Sequence, residues 1–359
     1  MLPVIALLAV GTGCANKNDV NNNADNNIKV VEQHNNEELL DDTNRIIYES
    51  CINLNIGAAC SSLGYSYGTG RGVKQDYSKA NFYFEKACSM NDGEGCHNLG
   101  YSYGSGIGVK QDYSKAYIYY EKACNLNNGS GCLNLGFSYG NGRGVKQDYK
   151  KANTYYEKAC NMNNGSGCFN LGVSYSDGEG VKQDYKKANT YYEKACNMNN
   201  GSGCNNLGLA YDKGNGVKQD DSKANIYYEK ACNLNYGGGC FNFGKIYDEG
   251  KGVKQDYSKA KSYYEKACSL DDGGGCTNLG FLYDKGLGLR QNMSIAISYY
   301  EKGCKLKVDI ACNNLGIVYN NGKGVNQNRT IAKEYYGKAC DLGNQKGCDN
   351  YRKLNEQGY

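Results

Sequence analysis

Apolar side chains recur along most of this chain in steps of three and four, in short stretches separated by glycine-rich or asparagine-rich breaks. Within residues 93–128, Cys96, Leu99, Gly100 and Tyr103 fall at i, i+3, i+4 and i+7, the spacing that gathers side chains on one helix face. After Gly104 to Gln111, a second stripe follows at Ala116, Tyr119, Tyr120, Ala123 and Cys124. Asp112 stands where an N-cap would open that second helix. Asn127-Asn128-Gly129 closes it, with Gly129 suited to the left-handed conformation that ends helices. The unit is a pair of short amphipathic helices that returns every 36 residues or so. A period in this range predicts an all-α solenoid of helix hairpins.

The repeats, compared with one another, mark what the architecture needs. Tyr103 and its equivalents from Tyr67 to Tyr319 never vary, nor do the alanines from Ala80 to Ala332 or the tyrosines from Tyr83 to Tyr335. Gly100 and its counterparts sit inside helices, where glycine costs about 1 kcal/mol relative to alanine; close helix approach is the expected compensation. The Gly-x-Gly pairs, such as Gly70/Gly72 and Gly322/Gly324, read as turns between helices, because they lack the strand and the Lys-Ser/Thr of a phosphate loop.

The chain of 359 residues carries 35 Tyr, 7 Phe and no Trp, with alanine and glycine at many stripe positions. Such a core buries little aliphatic area, so a second source of stability is expected. It comes from cysteine. Eighteen of the 19 cysteines form regular pairs: Cys51/Cys60, Cys88/Cys96, Cys124/Cys132, Cys160/Cys168, Cys196/Cys204, Cys232/Cys240, Cys268/Cys276, Cys304/Cys312 and Cys340/Cys348. Each pair brackets the turn between one unit's second helix and the next unit's first, and an even, regular set reads as disulfides formed in an oxidising compartment. Structural zinc is the competing use, but the pairs are widely gapped and the chain has two histidines, His34 and His97. No metal or other cofactor is expected.

Cys14 is left over. It follows the apolar run Leu2 to Val10 and Gly-Thr-Gly, a segment too short to span a bilayer but fitting a signal peptide. Residues 1–14 resemble a bacterial lipoprotein signal, with Cys14 as the acylated residue; simple secretion with cleavage near Ala15 is the alternative. Residues 15–39, asparagine-rich and poor in apolar groups, read as a disordered tether, and 40–359 as the solenoid. The expected location is secreted or periplasmic, with membrane attachment only through a lipid anchor. A net charge of +4 with no basic run excludes a nucleic-acid footprint.

The string Gly-Cys-x-Asn-Leu-Gly-x-x-Tyr, then Gly-x-Gly-Val, then Asp-Tyr-x-Lys-Ala-x-x-Tyr-Tyr-Glu-Lys-Ala-Cys, as at Gly131 to Cys160, resembles the Sel-one-like repeat. With its paired cysteines the chain resembles the Helicobacter cysteine-rich protein family. That resemblance implies a right-handed α/α superhelical solenoid of helix hairpins, tetratricopeptide-like, with one disulfide per repeat, export and a scaffold role, together with weak binding and hydrolysis of β-lactams. The residues do not supply a catalytic constellation. Ser258 and Lys261 have the Ser-x-x-Lys spacing, but they sit on a recurring repeat helix and no Lys-Thr-Gly or Ser-Asp-Asn accompanies them. His97, alone on a first helix, reads as a surface side chain rather than a base.

A binding surface is better supported. Two first-helix positions off the packing stripe change from repeat to repeat: His97, Leu133, Phe169 and Phe241 at one, Tyr101, Phe137, Lys245 and Phe281 at the other. Hairpin solenoids line their concave side with first helices. These eight residues are the candidate contacts for a protein or peptide partner; a cell-wall fragment or a β-lactam is the second class of ligand.

Overall fold

The computed structural model describes residues 40–359, and among them every regular element is helical. A lone helix α1 (Asp42–Ile52) precedes the hairpins α2 (Gly57–Thr69) with α3 (Tyr77–Ser89), α4 (Gly93–Ser105) with α5 (Tyr113–Asn125), and α6 (Gly129–Asn141) with α7 (Tyr149–Asn161). Then come α8 (Gly165–Asp177) with α9 (Tyr185–Asn197), α10 (Gly201–Lys213) with α11 (Asp221–Asn233), and α12 (Gly237–Glu249) with α13 (Tyr257–Ser269). The array closes with α14 (Gly273–Lys285) and α15 (Met293–Lys305), α16 (Asp309–Asn321) and α17 (Arg329–Asp341), and an unpaired α18 (Gln345–Glu356). The proposed signal, Cys14 and the tether lie outside the described residues.

Caps fix the helix ends. The Asp112 carboxylate accepts from the amides of Ser114 and Lys115, both at 3.0 Å, and starts α5. The first helix ends at Gly106, whose φ of 72° is one that L side chains rarely adopt. At the other turn the expectation fails. Asn127, with φ 60°, takes the left-handed position, and Gly129 instead opens α6. A Cβ on Gly129 would stand 3.4 Å from the Cβ atoms of Asn164 and Met162 in the turn between α7 and α8, so close packing of turn on turn accounts for that glycine. The asparagines of the sequence's Asn-x-Ser/Thr motifs, Asn128, Asn164, Asn200, Asn292 and Asn328, are all helix N-caps.

Inside each hairpin the two helices meet through glycine and tyrosine. A Cβ on Gly100 would come within 2.8 Å of the Tyr120 ring, so the missing side chain lets that ring lie across the first helix. The more exposed tyrosine of each pair stacks on the invariant first-helix tyrosine, as Tyr119 does on Tyr103 at 5.6 Å and 5° between planes. The Lys115 ammonium lies 5.0 Å from the Tyr103 ring centre, a favourable cation–π placement.

Between units, all nine cysteine pairs are disulfides: Cys51–Cys60, Cys88–Cys96, Cys124–Cys132, Cys160–Cys168, Cys196–Cys204, Cys232–Cys240, Cys268–Cys276, Cys304–Cys312 and Cys340–Cys348. Each joins the end of a second helix, or of α1, to the start of the next first helix, with Cα atoms 4.4 to 4.7 Å apart. Each short loop so closed contributes about 2.5 kcal/mol by the chain-entropy relation. The bonds are covered by the alanines of the following unit, as Cys88 and Cys96 are by Ala123. Cys60, Cys204, Cys240, Cys276 and Cys312 are all fully buried in this way, whereas Cys348 is only half-buried, because among the described residues no helix follows α18 to cover it. Such a set of bonds points to an oxidising compartment. Asn81, Asn153 and Asn189 add a second link by donating to loop carbonyls of the next unit at 2.7 to 2.8 Å. Successive first helices pack closer to one another than successive second helices do, so the array bends with the first helices on its inner side.

Candidate partner-binding surface

The inner side carries both variable positions, and the structure separates them. At the first position, His97, Leu133, Phe169 and Phe241 are half-buried, while Asn205, Thr277 and Asn313 at the same place are buried. These side chains lean on the core tyrosine of their own hairpin: the rings of His97, Phe169 and Phe241 lie 6.1, 6.0 and 6.0 Å from Tyr120, Tyr192 and Tyr264. At the second position Tyr101, Phe137, Lys245 and Phe281 are exposed, the two phenylalanines 38% and 41% and Tyr101 52%. The Lys245 ammonium pairs with Glu249 at 3.5 Å, both half in solvent. The first position is therefore the floor of the inner face, and the second its accessible rim.

His97 departs from the surface role expected of it. Burial, the largest effect, holds its pKa below the usual histidine value, against smaller opposing effects from Asn98 and Glu94. Its Nε2 lies 3.0 Å from the Asn134 amide nitrogen of the next unit; a neutral ring accepting there has its proton on Nδ1. The same link recurs as Asn242 Nδ2 donating to Asn205 Oδ1 at 2.8 Å and Asn350 Nδ2 to Asn313 Oδ1 at 3.5 Å. Asn206, Asn278 and Asn314 also hydrogen-bond the buried hydroxyls of Tyr192, Tyr264 and Tyr300. This asparagine row was not given a role from sequence. Its signal was there: a polar residue unchanged beside buried Leu99, Leu135 and Leu171 has to be satisfying something buried.

Between rims lie slots. One of 260 Å³ is walled by Tyr101, Tyr113, Tyr120, Asn134, Phe137 and Arg143, with the Arg143 guanidinium 5.4 Å from the Tyr113 ring centre. Its copy two repeats on, of 160 Å³, has Tyr185, Tyr192, Asn206 and Leu209 at the matching places, with Lys213 and Asn215 for Asn141 and Arg143. Such a periodic groove of rings and amides suits an extended chain with side chains at intervals. No cysteine lines either slot. Cys60, Cys204, Cys240, Cys276, Cys312 and Cys348, each in the first turn of a first helix, spend their sulfur on the bond to the preceding helix. The cysteines therefore belong to the frame that positions the surface and make no part of the surface itself.

Ser258 stands exposed in the first turn of α13, its amide capped by Asp256 at 3.0 Å. Lys261 is bound to Glu265 at 2.7 Å, and that carboxylate's hydrogen bond raises the lysine pKa, keeping the ammonium protonated. A lysine so held is a poor base for activating a serine. Among the described residues no cluster of His, Cys, Asp or Glu is arranged to hold a metal ion. No helix among them is long and apolar enough to cross a membrane.

A disulfide-stapled helical-hairpin array of this kind defines a class of repeat scaffold. The Sel1 repeat matches residues 57–92, 93–128, 129–164, 165–200, 201–236, 238–272, 274–308 and 309–344, and the chain belongs to the Sel1 repeat family. Among solved structures it is similar to c5321, a protective antigen of uropathogenic Escherichia coli with an SLR fold, at 27% identity over 88% of this chain and 67% of that one, with a TM-score of 0.67. It is also similar to a Sel1 repeat protein from Oxalobacter formigenes, at 24% identity over 68% of this chain and 96% of that one, with a TM-score of 0.60. Helicobacter pylori cysteine rich protein B is 42% identical over 37% of this chain and 95% of its own, with a TM-score of 0.31. No curated protein sequence matches the chain.

Proposed function

We propose that the protein is an exported, disulfide-stapled scaffold that binds an extended protein or peptide partner along its first-helix face, held to a membrane by acylation of Cys14. One observation carries the reading. The rim position varies in side chain across the repeats while leaving large apolar groups, Tyr101, Phe137, Phe281 and Ile317, exposed to solvent. Rings and a lysine interleaved at regular spacing are the composition of a surface that anchors a polypeptide. The outer face also exposes Ile118 and Ile226, so the test must compare the two faces. A photo-crosslinking residue placed at Phe281 or Tyr101 in the native host should trap a discrete partner, and one at Ile226 should not. Crosslinks of equal yield from both faces, or from Ile226 alone, would remove the assignment.

A further inference from the structure

A cleft of 820 Å³ opens at the N-terminal end of the inner face, a size that in other proteins encloses a drug-sized ligand. Ser62, Tyr65, Ser66 and Arg71 on its floor stand two repeats before Asn134, Phe137, Ser138 and Arg143, so it is another copy of the slot. Its other wall differs. Where the later copy has Ala116 and Tyr120, α1 presents Thr43 and Ile47, beside Asn44 and the N-cap Asp41, and among the described residues no first helix precedes α1.

The polar groups of this wall are acceptors without enough donors. Asn44 is 3% exposed; its amide nitrogen donates to the Arg71 carbonyl at 3.0 Å, and its Oδ1 has no partner. An unmatched buried acceptor is costly, and a donor brought by a ligand relieves it. Asp92 Oδ1 receives the Gly95 amide at 2.7 Å and the Ser61 hydroxyl, while its second oxygen is free of both. Asp41 and Glu94 are exposed at the mouth, so three carboxylates face one guanidinium, that of Arg71. We infer that this cleft is an anchor for a lysine side chain of a bound peptide. A primary ammonium carries three N–H donors and no acceptor, matching a site that offers Asn44 Oδ1 and carboxylate oxygens. Ile47 and Tyr65 give its methylene stem an apolar wall.

This inference rests on the first-helix face being the partner surface, because the cleft is one end of that face. The test titrates acetyl-Ala-Ala-Lys-Ala-Ala-amide into the full chain, followed by amide NMR shifts, against the same peptide with Nε-acetyl-lysine and against cadaverine. The lysine peptide should bind at least tenfold tighter than its acetylated form, shifting Asn44, Ser62 and Tyr65. Asp41→Asn combined with Glu94→Gln should cut that preference below twofold; asparagine still caps α1, so the fold is retained. Phe281→Ala, directed at the extended partner, should leave this titration unchanged, so the two ideas fail separately. Equal binding of both peptides, no binding of either, an unchanged preference in the double variant, or cadaverine binding as well as the peptide would each overturn the lysine-peptide anchor.

Discussion

Residues 129–164 and 165–200 are adjacent repeats with identical second helices, α7 and α9, yet their first helices differ. The differences are Leu133 against Phe169, Phe137 against Val173, Gly140 against Ser176, Asn141 against Asp177, and in the loop Arg143 against Glu179. The packing is the same in both: Asp148 and Asp184 cap their helices, Asn153 and Asn189 each reach the next loop at 2.7 Å, and each tyrosine pair stacks at 5.5 to 5.6 Å. Even the aromatic contact on the core tyrosine is kept by different means. In the earlier unit Phe137 meets Tyr156 edge-on at 5.6 Å from the rim; in the later one Phe169 meets Tyr192 at 6.0 Å from the floor. The comparison separates what holds the array from what its inner face displays, and it exchanges a basic rim for an acidic one.

The strongest way to break the equivalence of these units is through their staples. Replacing Cys124 and Cys132 by alanine should destabilise the chain by about 2.5 kcal/mol in urea unfolding, and replacing Cys160 and Cys168 should do the same. A large effect at one and none at the other would show that the repeats are not held alike. Next come the glycines. A Cβ on Gly136 would lie 2.5 Å from the Tyr156 ring and one on Gly172 2.7 Å from that of Tyr192, so Gly136→Ala and Gly172→Ala should each cost about 1–3 kcal/mol. At Gly140 the Cβ would meet only the Tyr156 hydroxyl, at 3.4 Å, and the Ala152 Cβ, at 3.8 Å, and alanine there should stabilise by up to about 1 kcal/mol through helix propensity. Denaturation midpoints of the three variants check the order.

The tyrosines give a smaller, pH-dependent effect. Burial pushes the Tyr156 hydroxyl up to about 12, with a smaller effect from Glu179, and burial likewise raises Tyr192. A folded-state pKa above the unfolded value of about 10 means the contribution is whole below pH 10 and is lost as the pH rises toward the folded value. Absorbance of ionised tyrosine should therefore lag behind that of a free phenol between pH 10 and 12, and stability should fall through the same window. Full ionisation of the buried set near pH 10 would contradict the packing.

Much of this was legible in the residues, because a solenoid writes each packing rule once per period. The start of the second helix followed from Asp112 and the helix faces from the stripes, while the first helix runs on to Ser105, past the Gly104 at which its loop was expected to begin; the disulfides followed from the even cysteine spacing. The glycine fault was one of neighbours: Asn127 and Gly129 can both end a helix, and only the approach of Asn164 and Met162 from the following inter-hairpin turn decides between them. The floor and rim of the inner face looked alike in sequence for the same reason, since both vary. What separates them is depth: the floor side chains are half-buried or buried and the large rim side chains stand in solvent, a tertiary distinction that variation along the chain does not encode. His97 reads as solvent-facing by itself and becomes buried only through Tyr120 and Asn134.

The central claim is that staples and tyrosine packing carry the fold, leaving the inner face free to change. It is tested most directly by converting one unit into its neighbour on that face alone, with Leu133→Phe, Phe137→Val, Gly140→Ser, Asn141→Asp and Arg143→Glu together, and measuring urea unfolding of the oxidised protein. The account predicts a free energy within about 1 kcal/mol of the parent, the main loss being the Arg143–Tyr113 contact. A loss of about 3 kcal/mol or more would show that the variable face is part of what holds the array together.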